Sequence, residues 1–228
     1  MKKTKQIIAL LLCLVMVVAG SVFATVAYLT SQDSVLNTFT IGKVAIDLDE
    51  TKVTPDGTPV DENEDGEPEK TQTGNEYHLI PGQTYTKDPT ITVKAGSEES
   101  YVRMLVTVNG LSALKEIFGE GFLPQNYVAG WDPAVWVPVA AVDNGDNTMT
   151  YEFRYFEAVD ATAATEDVVL DALFDSFTMP GKVTGEELAM LEGFKIQVDG
   201  HAIQAATFAD ANAAWAAFDA QYAEETEG

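Results

Sequence analysis

The acidic motif DENEDG, Asp61–Gly66, is the stretch of this chain whose residue types and spacing best match a chemical task. Asp61, Asn63 and Asp65 place side-chain oxygens at alternate positions, as in the opening of loops that hold Ca²⁺. The twelfth position of such a loop is normally a bidentate Glu, whereas this chain has Gln72 there. The motif predicts a weak calcium site, with a solvated acidic loop as the alternative.

The sequence contains none of the common patterns of hydrolase active sites. The two histidines, His78 and His201, belong to no H-E-x-x-H motif and to no closely spaced pair, so the usual zinc-protease helix is missing from the sequence. The sequence also has no G-x-S-x-G elbow and no phosphate-binding glycine loop. These observations disfavour a hydrolase. Arg103 and Arg154 fall inside predicted strands, where we expect them to pair with carboxylates of neighbouring strands.

The N-terminus has the pattern of a secretory signal peptide. Three lysines within the first five residues precede the uncharged run from Ile7 to Gly20. The alternative is a membrane anchor, but Ser21 and Thr25 dilute the end of the run. Small residues allow a cut after Ala24 or after Ala27. The only cysteine lies within the apolar run, so the processed chain is expected to form no disulfide.

The charge of the processed chain limits the classes of molecule that are expected to bind it. All 36 acidic residues lie beyond residue 27 with 10 of the 13 basic residues, which gives a net charge of −26. Nucleic acids and anionic membranes would repel such a chain, so neither is expected as a partner, and the membrane is involved only through the uncleaved signal. The 201 residues from 28 to 228 are enough for one domain with its own core.

Short alternating, β-branched runs predict an all-β antiparallel sandwich. The runs are Thr90–Ala95, Tyr101–Val108, Val135–Val142, Thr148–Phe156 and Phe194–Val198. The sequence DNGDN, 143–147, predicts a hairpin loop between two of them, with Gly145 free to adopt positive φ.

The sequence predicts two or three short helices and one long acidic loop. Helical patterns occur at Leu111–Gly119, at Val183–Leu191 with a capping box from Thr184 to Glu187, and at residues 207–222. Residues 49–76 hold almost no large apolar side chain, which predicts a mobile loop between strands. The domain organisation expected is a signal peptide (1–27), a connector (28–41) and one β-sandwich domain (42–228).

The apolar residues around Gly42 change parity. Val35, Phe39 and Ile41 share one face of an extended strand, whereas Val44, Ile46 and Leu48 share the other. A bulge or break is therefore expected at Gly42, and the segment before it is free to pair with a different neighbour.

Two stretches of the sequence carry motifs of a known family. The junction Ala24–Leu48 carries a small-residue cut site, an aromatic residue and N-T-F-x-x-G, here Thr25, Val26, Ala27, Tyr28, Asn37, Thr38, Phe39 and Gly42. Leu79–Val106 carries P-G-x-x-x-x-K-D-P-x-I-x-V, here Pro81, Gly82, Lys87, Asp88, Pro89, Ile91 and Val93. Both stretches resemble the TasA/camelysin (CalY) family of exported proteins, which a SipW-type signal peptidase processes. By this resemblance the chain is cut between Ala27 and Tyr28.

The resemblance implies a jelly-roll-like β-sandwich that is secreted to the cell surface or extracellular matrix. Family members build biofilm fibres, in which the N-terminal segment of one subunit completes the sheet of the next. The expected partners are copies of the chain itself or related matrix proteins, with Val35, Phe39 and Ile41 in the donated strand. The alternatives are a monomeric surface-binding module with a weak calcium site and, third, a camelysin-like extracellular metalloendopeptidase. No catalytic residue and no cofactor beyond weakly bound Ca²⁺ are predicted.

Overall fold

The computed structural model describes residues 43–226, and the side chains of residues 43–221. The described chain forms eleven strands: β1 Ile46–Thr51, β2 Lys70–Thr71, β3 Thr84–Thr86, β4 Thr90–Val93, β5 Ser100–Asn109, β6 Val128–Ala129, β7 Trp136–Asp143, β8 Thr148–Tyr155, β9 Val168–Val169, β10 Ser176–Thr178 and β11 Ile196–Gln204. It also forms three α-helices: α1 Leu111–Phe118, α2 Gly185–Met190 and α3 Ala211–Thr226. In this part of the chain, no helix is long and apolar enough to cross a membrane.

The strands form mostly antiparallel sheets, consistent with an all-β sandwich. One sheet has the order β11-β5-β8-β7, and two smaller sheets have the orders β2-β1-β4-β9 and β3-β10-β6. The smaller sheets are joined, because the Lys87 N–H donates to the Asp175 carbonyl at 3.1 Å and the Leu173 N–H donates to the Pro89 carbonyl at 3.0 Å. The chain from β3 to β4 therefore runs beside the chain from β9 to β10 as one layer.

Strand β5 supplies the centre of the core. Its residues alternate as the sequence predicts, and Val102, Met104, Val106 and Val108 are all buried. The layer of β1 and β4 covers this face through a tight contact at Gly200 on β11. A Cβ at Gly200 would lie 3.0 Å from Ile91 Cδ1, so the glycine allows the two layers to approach.

The predicted turns and caps are confirmed at two places. Strands β7 and β8 form an antiparallel hairpin around 143–147, where Gly145 has φ 78° and Asn147 has φ 66°. At the start of α2, the Glu187 N–H donates to Thr184 Oγ1 and the Thr184 N–H donates to the Glu187 carboxylate, which is the predicted capping box.

The prediction that residues 49–76 form one loop is wrong at its start. Strand β1 continues to Thr51 because it pairs with β4 up to Asp49 and then with β2. Beyond it, Val53 is buried and bridges Pro59, and the Val60 N–H donates to the Lys52 carbonyl at 2.9 Å. Backbone hydrogen bonds join residues of this segment to one another, which composition alone does not reveal.

Two further boundaries differ from the sequence prediction. The last helix begins at Ala211 and not at residue 207, because Asp210 caps it: its Oδ1 accepts from the Ala213 N–H at 2.9 Å. Strand β11 extends to Gln204 and not to Val198, because it pairs with β5 along nine residues, including Gly200 and Ala202. Partner pairing thus carries the strand through residues of weak β-propensity.

Candidate functional site: the groove beside strand β11

A groove of about 950 Å³ opens between β1, the segment Thr71–Leu79 and the first half of β11. Much of its lining is apolar and belongs to the edge of the core: Leu48, Leu79, Phe177, Leu191, Ile196 and Val198. Partly buried apolar side chains at the rim of a sandwich are a surface to which an extended apolar segment can bind.

The backbone of β11 adds hydrogen-bonding capacity to the groove. Within residues 43–226, β11 pairs only with β5, so its other edge has no strand partner. The opposite edge of this sheet, β7, differs. Its pairing with β8 shifts register between Pro138 and Ala140, and Pro138 has no N–H to donate. A bulge and a proline protect an edge against pairing, which makes β11 the more receptive edge.

A buried ion pair forms part of the groove wall. Lys87 and Glu50 each have only 5% of their surface exposed, and Lys87 Nζ lies 2.5 Å from Glu50 Oε2. Asn75 Nδ2 donates to the other Glu50 oxygen at 2.8 Å and to the Thr51 carbonyl at 2.8 Å. Asn75 Oδ1 accepts from the Val53 N–H at 2.9 Å. One carboxylate thus holds an amine and an amide, one on each oxygen.

Separate elements bring these three side chains together. Glu50 lies near the end of β1, Lys87 follows β3, and Asn75 lies in the segment that returns from β2. The aromatic ring of Tyr77 packs edge-on against Tyr85 and Phe177 beside them. Burial, and after it the Glu50 charge, raises the pKa of the Tyr77 hydroxyl above its ordinary value, which marks the surroundings as poorly solvated.

The predicted pairing of the two arginines with carboxylates of neighbouring strands is confirmed for Arg103 and is wrong for Arg154, whose carboxylate partner lies on its own strand. Arg154 Nε donates to Glu152 at 2.7 Å on its own strand, and Arg103 lies 3.6 Å from the same carboxylate. Arg103 also pairs with Asp219 of α3 at 2.5 Å and lies 4.3 Å from the centre of the Trp215 ring. The partner on α3 was not predicted, and it shows that this cluster docks the last helix onto the sheet.

The calcium motif folds back on itself. Asp61 Oδ2 accepts from the Gly66 N–H at 3.0 Å, and Asn63 Oδ1 accepts from the Asp65 N–H at 3.1 Å. Two buried oxygens of this segment, Asp61 Oδ1 and Glu69 Oε2, have no hydrogen-bond partner. Glu69 is the ninth position counted from Asp61, a position at which calcium loops also place a ligand, and the sequence prediction did not include it.

The remaining predicted site residues are not brought together by the described structure. Ala27, Tyr28, Val35, Phe39, Ile41 and Gly42 lie outside the described residues. Among the described side chains, those of residues 43–221, no group of three or more His, Cys, Asp or Glu is placed to hold a metal ion. His201 accepts a hydrogen bond from Arg103 Nε at 3.2 Å and packs beside Phe218, so it belongs to the helix-docking cluster.

Comparison with protein-family models, curated proteins and solved structures gives no match for this chain. The resemblance to the TasA/camelysin family therefore stays an expectation from the residues quoted above.

Proposed function

We propose that this protein is a secreted structural protein of the extracellular or biofilm matrix that assembles head to tail by strand addition. Residues 28–41 of one subunit bind in the groove beside β11 of the next. The observation that carries this proposal is the combination of an apolar groove and an unpaired edge of β11 in the described chain. Head-to-tail addition does not close, so it propagates into a filament.

The dimensions support this proposal. Strand β11 has nine residues, which span about 30 Å at the usual rise of a β-strand. The donor segment 28–41 has fourteen residues, enough to cover that edge. Val35, Phe39 and Ile41 share one parity and would all face the apolar groove.

The rest of the proposal follows the family resemblance. The sandwich is proposed to have jelly-roll topology, and a SipW-type signal peptidase is proposed to cut after Ala27 and release the donor segment. The partners are then copies of the same chain or related matrix proteins. Before the cut, the membrane-held signal would keep the donor segment from reaching a neighbour.

The test compares two chains, residues 28–228 and residues 42–228, by electron microscopy and light scattering over days. We expect fibres from the longer chain alone. A matched pair of variants sharpens the result: Phe39→Glu places a charge on the apolar face of the donor and should abolish fibres, whereas Thr38→Glu, on the opposite face, should retain them. Fibres from the 42–228 chain, or equal effects of the two substitutions, would overturn the strand-donor mechanism.

A monomeric surface-binding module with a calcium site is the second candidate, and the two unpartnered oxygens Asp61 Oδ1 and Glu69 Oε2 favour it. Calcium titration of the 42–228 chain by calorimetry tests it, because this chain cannot donate its N-terminal segment. We expect binding that Glu69→Gln weakens and that Glu64→Gln, at a position between the oxygen ligands, leaves unchanged. The absence of a binding heat would remove this candidate.

A further inference from the structure

Lys87 and Asn75 place an amine and an amide on the two oxygens of one carboxylate, that of Glu50. We propose that Lys87 Nζ and Asn75 Cγ become joined by an intramolecular amide bond, with Glu50 moving the protons and ammonia leaving. The proposal concerns the wall of the groove and does not depend on assembly.

The geometry supplies the required parts. The nucleophile and its base are in contact, since Lys87 Nζ lies 2.5 Å from Glu50 Oε2. The leaving nitrogen is held by the same carboxylate, since Asn75 Nδ2 lies 2.8 Å from Glu50 Oε1. The Val53 N–H lies 2.9 Å from Asn75 Oδ1, where negative charge develops when the amide carbon is attacked.

The proton and electron balance closes without a further reactant. Glu50 takes a proton from the Lys87 ammonium and leaves a neutral amine, whose lone pair attacks Asn75 Cγ. The new C–N bond forms, the Cγ–Nδ2 bond breaks, and Glu50 passes its proton to Nδ2 while it accepts the second proton from Nζ. The products are a secondary amide and ammonia, which can leave through the groove that all three residues line.

Burial favours this outcome over a permanent ion pair. Lys87 and Glu50 are each 5% exposed, and taking two such charges out of water is costly. After the reaction the site carries a neutral amide and a protonated Glu50, so neither buried charge remains. The bond would tie the segment around Asn75 to the end of β3 and fix one wall of the groove.

Peptide mapping of the purified full-length chain tests the bond. A protease that cuts after Glu separates Lys70–Glu76 from Tyr77–Glu98, and the amide would keep these two peptides joined. We expect one joined peptide. Its mass should be lower than the summed masses of the two free peptides by the mass of one ammonia. Two separate peptides of unmodified mass would overturn the proposal.

Variants separate the proposed bond from other losses of ammonia. Glu50→Gln and Lys87→Arg should each give two separate peptides, whereas Lys52→Arg, in an exposed ion pair with Glu62, should retain the joined one. Ring closure at Asn144–Gly145 also releases ammonia but leaves the two peptides separate, so total mass alone is not the readout. A joined peptide that persists in Glu50→Gln would overturn the role of Glu50.

Discussion

At the scale of single residues, the cluster of Glu50, Lys87 and Asn75 depends on distances that no sequence pattern contains. In the sequence, Lys87 stands out only as part of the K-D-P motif, and Glu50 and Asn75 lie in a segment whose composition predicts a mobile loop. The three side chains meet because β1 pairs with β4 and β2, strands that are separated from β1 in the sequence. By contrast, the carboxylate that Arg103 meets on β8 is predictable, because a neighbouring strand of an acidic chain offers it at short range.

Replacement of Lys87 by Met should destabilise the protein strongly. The substitution removes the amine that faces Glu50 before any amide bond can form, and leaving such a buried carboxylate without its partner typically costs about 3–5 kcal/mol. Urea denaturation followed by tryptophan fluorescence measures the free energy of unfolding. Lys52→Met is the control, because its ion pair with Glu62 is exposed and should contribute little. Equal midpoints for the two variants would contradict the importance of the buried pair.

At the scale of elements, the sequence predicts strands from alternation better than it predicts where they end. Strand β5 follows its alternating pattern over the whole length, whereas β11 runs beyond the pattern because β5 supplies a partner. The start of α3 depends on the cap at Asp210, a residue type that favours helix starts but lies inside the range 207–222 that periodicity predicts as helix. At the ends of these elements, pairing with a neighbouring strand and capping of the helix decide the boundary residue. The periodicity of the apolar residues does not.

The contact between β11 and the β1–β4 layer predicts the effect of Gly200→Ala. The new methyl group would lie 3.0 Å from Ile91 Cδ1 and 3.5 Å from Leu48 Cβ, so the two layers must separate slightly. Overpacking of this kind costs about 1–3 kcal/mol. Thermal unfolding should show a lower midpoint for Gly200→Ala, whereas Gly121→Ala, which meets no atom within 4 Å, should unfold like the parent.

The attachment of α3 should weaken in acid through His201. Burial, and after it the nearby Arg103 charge, lowers the pKa of His201 below its ordinary value of 6.5, although Asp199, Asp219 and Glu152 act in the opposite direction. The unfolded chain therefore binds the proton more tightly than the folded chain. The stabilising contribution is complete above pH 6.5 and is lost as the pH falls through the lower folded-state pKa.

Melting temperatures measured from pH 8 to pH 5 check this expectation. The parent chain should lose more stability below pH 6.5 than His201→Gln does, because the variant cannot bind the proton. His78→Gln serves as the control and should follow the parent. Parallel curves for the parent and His201→Gln would show that His201 does not carry the pH dependence.

At the scale of the whole molecule, composition predicts the charge and the β-rich class, but not the arrangement of sheets. Two short sheets merge into one layer through single hydrogen bonds such as Lys87 to Asp175, and the residues involved carry no distinctive pattern. The groove beside β11 is likewise a product of the assembled layers. Its location could not be read from Ile196 or Val198, which look like ordinary core positions.

The net charge of −26 predicts that salt accelerates assembly of the 28–228 chain. Like-charged subunits repel over a distance that falls from about 30 Å at 0.01 M salt to about 10 Å at 0.1 M. The lag before light scattering rises should shorten over this range, and lower pH should act in the same direction as carboxylates protonate. The 42–228 chain should stay monomeric throughout. A lag that is indifferent to salt and acid would contradict electrostatic control.

The proline and the register shift in β7 make the two edges of the larger sheet different from each other. Within the described residues, one edge of the larger sheet, β11, has no strand partner, whereas the other edge carries Pro138 and a register shift, which disfavour pairing. A body with one accepting edge and one donated tail has a distinct front and back, so a filament built from it has two different ends. In the proposed assembly, growth would add subunits in a single row, and neighbouring filaments would lie side by side without merging into a continuous sheet.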